Sequence, residues 1–335
     1  MELPIISLRA FLSTSANLTQ KLQTANLISE ACQKYGAFYV KDHNIPLSNQ
    51  NDAINVSKKF FSLDEKIKKE IPIKKGGFTR GYVPIGGESG SELFELKEAF
   101  SYGYNWDKNK SPTNILQGEN IWPYYQDQNN LCFQQVLETF FDEMIKCSLS
   151  LTKAFSLSLG FEEDYLKNFC VEGDTISLMR VFHYFPVQKG LVSENRLNGT
   201  IGSSPHTVFE DINLFSDWGF LTLILQQEDQ IGLQIYHENK WKDIKPIKNC
   251  LFVNCGDYVS LFTNGKYKSP LHRVISPLKD ERISFVLFFY PNFNAKIPVL
   301  ADGKVDVSLL KDQSKAGSNL ENGNFVDISK VSFGE

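Results

Sequence analysis

CLFVNCGDYVSLFTNGKYKSPLHRVISPLKDERISFVLFFY, residues 250–290, sets the character of the second half of the chain. Its apolar residues come in short runs rich in Val, Ile and Phe. Gly256, Asn264, Gly265, Pro270 and Pro277 punctuate them. Runs of this kind between turn formers read as strands, here CLFVNCGD, YVSLF, LHRVIS and RISFVLFFY. Upstream, ISLMRVFHYF, FLTLILQQ and GLQIY have the same texture. So many short strands at this spacing predict an antiparallel barrel or a double-sheet jelly roll. Such a fold has a mouth, and small-molecule sites often lie in mouths.

Toward the N-terminus the period changes. Phe133, Leu137, Phe140, Phe141, Met144, Ile145 and Leu149 recur at helical intervals, so residues 126–159 are expected to form a long amphipathic helix stopped at Gly160. Leu18, Leu22, Leu27, Ile28 and Cys32 mark another helix ending before Gly36, and AFYV at 37–40 reads as a strand. The expected class is mainly β with flanking helices (α+β): a double-stranded β-helix, or jelly-roll, core preceded by a mixed helix and strand module. No internal repeat or low-complexity tract interrupts the chain, and the charged tail after about residue 300 carries no pattern.

Composition excludes several classes of function. A net charge of −4 argues against a general nucleic-acid binder, which is usually basic. Nothing approaches the ~18 consecutive apolar residues of a membrane span. The opening MELPIISLRAFL has an acid at position 2 and lacks the basic start of a signal peptide. Six cysteines, Cys32, Cys132, Cys147, Cys170, Cys250 and Cys255, form no C-x-x-C pair and suit reduced, packed thiols in a cytoplasmic protein.

The five histidines can be weighed singly. His43 and His183 read as packed or hydrogen-bonded, and His237 as a turn residue. His272 begins a strand, and downstream of it Arg282 and Ser284 alternate onto one strand face. A guanidinium fork beside a hydroxyl is a good receptor for a small carboxylate. Taken with His206 and Asp217 in SSPHTVFEDINLFSDWG (203–219), these residues form a constellation. Two histidines and a carboxylate on one side of a metal leave positions open, which suits non-haem Fe(II) with a bidentate oxoacid and dioxygen. A closed zinc site would usually offer four ligands, and no thiolate is suitably spaced.

The chain resembles the isopenicillin N synthase-like family of Fe(II)/2-oxoglutarate-dependent dioxygenases over about residues 3–295. LPIISL, ACQKYGAFYVKDHNIP, SKKFFSLDEKIKKE, RGYVPIGGES and ELKEAFSYG resemble the leading domain, in order. LMRVFHYFP, SSPHT, DWGFLTLILQ, GLQIY, FVNCGDYVSLFTNGKYKSPLHRV and ERISFVLFFYPN resemble the catalytic jelly roll. The resemblance implies residues 1–105 as an N-terminal module, 106–174 as a linking helical region, 175–300 as the jelly-roll domain and 301–335 as a tail. It implies His272 and Asp217 as iron ligands, Arg282 and Ser284 as holders of the distal carboxylate of 2-oxoglutarate, and Tyr184 as a residue positioning that cosubstrate. Phe185 stands where the second position of the usual Tyr-Pro ending falls. Fe(II), 2-oxoglutarate and dioxygen are the implied cofactors, and a small organic molecule is the implied substrate, with hydroxylation the default outcome and desaturation or ring closure open.

The first histidine departs from the family pattern, where it precedes the aspartate by two residues. In one alignment Phe215, which cannot bind iron, takes its place. In the other His206 is the ligand and residues 208–216 are an insertion. SSPHT before the gap and DWGFLTL after it each match their own side of the motif, which favours the insertion. Closing such a loop costs on the order of 2 kcal/mol, a term metal binding can offset. Three readings stand: an active 2-oxoglutarate-dependent dioxygenase, a catalytically inactive relative serving as a binding or regulatory protein, and an oxidase that does not use 2-oxoglutarate. The Arg282/Ser284 pair counts against the last.

Overall fold

Local sequence rules account for most of the elements. A computed structural model describes residues 1–73, 80–87, 96–107, 109–114, 116–124, 132–171, 175–186, 217, 219–275, 277, 279–296, 305–306, 325–326 and 333. The chain opens with β1 (Ile5–Ser7) and the single turn α1 (Arg9–Leu12). Helix α2 (Leu18–Lys34) starts at a capping box, in which Asn17 accepts from the Gln20 amide and Gln20 returns the bond. It ends at Gly36, whose φ of +70° places it in the region glycine favours. Then follow β2 (Ala37–Lys41), α3 (Leu47–Phe61), α4 (Glu65–Lys68), β3 (Gly81–Val83) and β4 (Lys97–Gly103). The long helix α5 (Phe133–Ser158) carries the expected apolar stripe and stops before Gly160, at φ +85°.

The second half holds β5 (Leu178–Tyr184), β6 (Leu221–Gln226), β7 (Leu233–His237), β8 (Lys240–Asp243), β9 (Leu251–Cys255), α6 (Asp257–Phe262), β10 (His272–Val274) and β11 (Arg282–Phe289). Two main sheets result, an eight-stranded one ordered β1-β2-β9-β6-β11-β5-β4-β3 and a three-stranded one ordered β10-β7-β8, and a short pair of β12 (Val305–Asp306) and β13 (Phe325–Val326) forms a third. Apart from the parallel β1–β2 pair, neighbouring strands run antiparallel. The jelly roll is therefore present, and strands from the first hundred residues extend its larger sheet at both edges.

One expected strand is a helix. YVSLF lies within α6, where Asp257 occupies the first turn behind the N-cap Gly256. Tyr258, Leu261 and Phe262 sit at helical spacing, and a five-residue apolar run satisfies either period. Packing decides: the whole segment Asp257–Phe262 is buried.

Helices cover one face of the large sheet. Phe140 of α5 meets Phe285 of β11 edge-on at 5.0 Å, and Phe61 of α3 stacks on His183 of β5 at 5.1 Å. On this covered face His183 Nδ1 lies 2.8 Å from Glu98, which also accepts from Lys68 at 2.7 Å and from the Tyr82 hydroxyl. Burial would raise the Glu98 carboxyl, but the hydrogen bonds from His183, Lys68 and Tyr82 outweigh it and hold the group below the ordinary range. The resulting stabilisation is complete above the unfolded value, about 4.3, and is lost as pH falls through the lower folded value. In urea unfolding between pH 7 and pH 3, the parent is expected to lose stability more steeply below about pH 4.3 than Glu98→Gln. Parallel curves would remove Glu98 as the acid-sensitive group.

Two further histidines, His43 and His237, are structural. His43 is buried and its Nδ1 accepts from the Ile45 amide, while His237 closes β7 against the Tyr35 ring. All six cysteines are free thiols, with Cys32 and Cys255 Sγ 3.4 Å apart in the core. Among the described residues no helix is long and apolar enough to cross a membrane.

Candidate active site

The site lies between the two sheets, on the face of the large sheet opposite the helices. Asp217 shortly precedes β6, and His272 is the first residue of β10, paired with Ile235. The two side chains are buried and face one another, with His272 Nε2 3.7 Å from Asp217 Oδ1. That gap is too wide for a hydrogen bond but can be spanned by one ion with bonds of about 2 Å.

Both groups are held for such a role. His272 Nδ1 lies 3.2 Å from the Pro270 carbonyl, which can only accept, so Nδ1 carries a proton and Nε2 faces Asp217. Asn254 of β9 donates to Asp217 Oδ2 at 2.9 Å, leaving Oδ1 directed toward His272. The Asn254 Oδ1 atom is itself buried without a partner among the described residues. A close turn fixes the Asp217 backbone, whose carbonyl accepts from the Asp257 amide at 2.6 Å. A Cβ on Gly256 would come within 1.9 Å of the Gly219 carbonyl, so only glycine fits there. Nothing in the described residues completes the pair, for no cluster of three or more His, Cys, Asp or Glu forms a metal site among them. His206, Phe215 and the segment 208–216 lie outside the described residues.

Asn254 is the one ligand support that sequence reasoning missed, although it lies in the quoted FVNCGD. Supporting residues of this kind typically cost 10- to 100-fold in metal affinity when removed. Asn254→Ala is expected to weaken Fe(II) binding by about that factor at unchanged fold, measured by anaerobic metal titration alongside circular dichroism. An unchanged affinity would show that Asp217 needs no holder.

The second half of the constellation opens β11. Arg282, 1% exposed, reaches Gln226 Oε1 at 3.2 Å and Ser284 Oγ at 3.5 Å, and its guanidinium lies 5.0 Å from the Tyr184 ring. Register places Tyr184 directly opposite Arg282 across β5 and β11. Burial pulls the guanidinium below its ordinary range, and Tyr184 beside it draws it part of the way back. These partners are all neutral, and among the described residues Arg282 Nε has none. A buried cation without a matching anion costs several kcal/mol in real proteins. The cradle therefore suits a small anion, and the chemistry of the Asp–His pair suits a divalent metal. Gly232 lets the backbone before β7 approach closely, since a Cβ there would lie 3.2 Å from Arg282 Cδ. Gln226 was not anticipated from the sequence.

A jelly roll with an Asp–His pair and a separate buried guanidinium on the same internal face defines a class of metal- and oxoacid-dependent oxygenases. Comparison with known proteins agrees. The N-terminal family of non-haem dioxygenases in morphine synthesis matches residues 3–125, and the 2OG-Fe(II) oxygenase superfamily matches residues 177–291. A probable iron/ascorbate oxidoreductase of Dictyostelium discoideum is 32% identical over 303 residues, spanning 88% of this chain and 82% of its own. Gibberellin 20 oxidase 1 of Arabidopsis thaliana is 31% identical over 294 residues, 87% of this chain and 70% of its own. A full-length Neurospora crassa protein, solved in complex with alpha-KG (2-oxoglutarate), superposes with a TM-score of 0.74 at 25% identity, covering 98% of this chain and 94% of that one. The chain belongs to the Fe(II)/2-oxoglutarate-dependent dioxygenases, and it is an oxidoreductase whose cofactors are Fe(II), 2-oxoglutarate and dioxygen.

Proposed function

We propose that this dioxygenase hydroxylates a small organic molecule, with iron held by His206, Asp217 and His272. The distal carboxylate of 2-oxoglutarate is taken by Arg282 and Ser284, with Tyr184 packed beside the guanidinium. The observation that carries the reading is Arg282, fully buried with neutral partners on the same internal face as Asn254, the holder of Asp217. When bound, iron, 2-oxoglutarate and dioxygen supply oxidative decarboxylation of the oxoacid to succinate, coupled to oxidation of a substrate C–H bond.

The chain's own residues bind and orient. Asn254 keeps one Asp217 oxygen occupied and the other directed inward. Pro270 fixes the His272 tautomer. Gln226 and Ser284 hold the guanidinium fork in place. A relative named gibberellin 20 oxidase supports oxidation of a small organic substrate.

Residues 208–216 form an insertion between His206 and Asp217 in this reading. They favour one competing account, a catalytically inactive relative that serves in binding or regulation. Residues 1–105, 106–174, 175–300 and 301–335 are the proposed leading module, linking region, catalytic domain and tail. The protein acts in the cytoplasm, without nucleic-acid or membrane partners, as its net charge of −4 supports.

Succinate release from 2-oxoglutarate in air tests the reading. Purified protein with Fe(II) is expected to form succinate slowly without substrate, and His206→Ala is expected to form none. No succinate from the parent would favour the inactive account.

A further inference from the structure

Besides Arg282, the internal face of the large sheet carries two buried cations that neither the ligand pair nor the oxoacid cradle uses: Lys97, over the Phe182 ring at 5.1 Å, and Arg180. Cross-strand register orders this face into rows. Arg282 and Tyr184 share the first, Ser101 and Arg180 the third, and Thr222 and Asn254 the fourth. Directly paired residues point to the same side of a sheet, and alternate residues along a strand keep to that side. Arg180 therefore faces the same interior as Arg282 and Asn254: it stands two rows from Arg282, one row from Ser284 and Gln226, and one row and three strands from Asn254.

Several observations place Arg180 near the reacting centre. It is buried, on β5. Burial pushes the Tyr290 hydroxyl up, the charge of Asp217 adds to this, and the charge of Arg180 pulls it partly back. Tyr290 in turn packs against Gly219, where a Cβ would lie 2.5 Å from its ring. Opposite Arg180 stands Ser101, whose Oγ is fully buried and has no hydrogen-bond partner among the described residues. Leaving a buried hydroxyl unsatisfied is costly, so a guest that satisfies it gains affinity. Among the described residues, Thr222 Oγ1 and Asn254 Oδ1 also lack partners on the same face.

We propose that the substrate is a small organic carboxylate and that Arg180, with the hydroxyl of Ser101, holds its carboxylate. The proposal rests on the oxygenase reading above and adds the substrate class. A guanidinium fork binds a carboxylate through two parallel N–H bonds, and a neighbouring hydroxyl can donate a third. Arg180 makes interactions of its own in this structure, which the incoming carboxylate exchanges for that bidentate contact. Row separation keeps the two anions apart: the cosubstrate's distal carboxylate stays on Arg282, and the substrate's lies on a neighbouring strand, nearer the Asp217 end. Its hydrocarbon part is then directed at the ligand pair, and the apolar third-row neighbours Val286 and Ile224 pack against it.

Titration calorimetry with 2-oxoglutarate at saturation tests this without turnover. The probes are a panel of aliphatic, aromatic and terpenoid monocarboxylates, each with its primary amide. At least one acid is expected to bind at least tenfold tighter than its amide. Arg180→Gln is expected to weaken that acid by about 30-fold, or 2 kcal/mol, and leave the amide unchanged. Arg180→Lys should restore part of the preference, and Ser101→Ala should cost about tenfold. The anaerobic charge-transfer absorption of the Fe(II)–2-oxoglutarate chelate, recorded on each variant, reports an intact fold and cradle. Absence of that band from the parent would defeat the oxygenase reading itself. With the band present, equal binding of acids and amides, no binding by any acid, or an undiminished preference in Arg180→Gln would each overturn the carboxylate proposal.

Discussion

Alanine at His272 is expected to abolish Fe(II) binding and reduce turnover by more than about a thousandfold. Removing one ligand of an open three-ligand site leaves too few donors to retain the ion, so the loss exceeds the 10- to 100-fold of a supporting residue. The same outcome is expected for Asp217→Ala. The geometry makes a distinction possible. His272 Nε2 and Asp217 Oδ1 face each other across 3.7 Å, whereas His183, also beside carboxylates, has both ring nitrogens taken by Glu98 and Glu281. His183→Ala should therefore alter stability but not the metal stoichiometry. Metal content after anaerobic reconstitution and desalting checks both, and iron retained at parental stoichiometry by His272→Ala would remove it from the site.

Arg282→Ala is expected to raise the dissociation constant of 2-oxoglutarate by two to three orders of magnitude. Truncating one partner of a buried charge pair costs about 3–5 kcal/mol, because the other charge is left desolvated without compensation. Arg282→Lys should recover little of this, since a point charge cannot reproduce the fork that Gln226 and Ser284 hold. Iron binding without the cosubstrate should change little. Titration of 2-oxoglutarate against the metal-loaded protein measures the effect, and a change below about fivefold would place the distal carboxylate elsewhere.

Some of this site was legible from residue order alone and some was not. His272, Arg282 and Ser284 could be read because each sits at the start of a strand whose alternation fixes its facing, and those strands are β10 and β11. Tyr184 followed from family resemblance, and the fold places it opposite Arg282. Asn254 and Gln226 could not be read, since an amide inside an apolar strand carries no sign of what lies on the neighbouring strand. Only the pairing of Thr222 with Asn254 and of Ser284 with Gln226 brings them to the site. Helix α5 was clear because its apolar stripe runs over several turns, whereas α2 forms as expected although Leu18, Leu22 and Leu27 of its apolar pattern are exposed and Ala25, Ile28, Ala31 and Cys32 make its buried face. The YVSLF segment was misread as a strand because five residues do not separate the two periods. Nor does local sequence reveal that β1 to β4 join the catalytic sheet, which depends on contacts far apart in the chain.

The most direct test of the central claim is an anaerobic titration of the metal-free protein with Fe(II) and 2-oxoglutarate, followed by the charge-transfer absorption of the chelate. It should be run beside His206→Ala and a variant lacking residues 208–216. A band in the parent that vanishes in His206→Ala is the predicted result, and it would make His206 the ligand that joins Asp217 and His272. A silent parent, with a band only in the shortened variant, would contradict the account, because the insertion would then have disabled a sound scaffold.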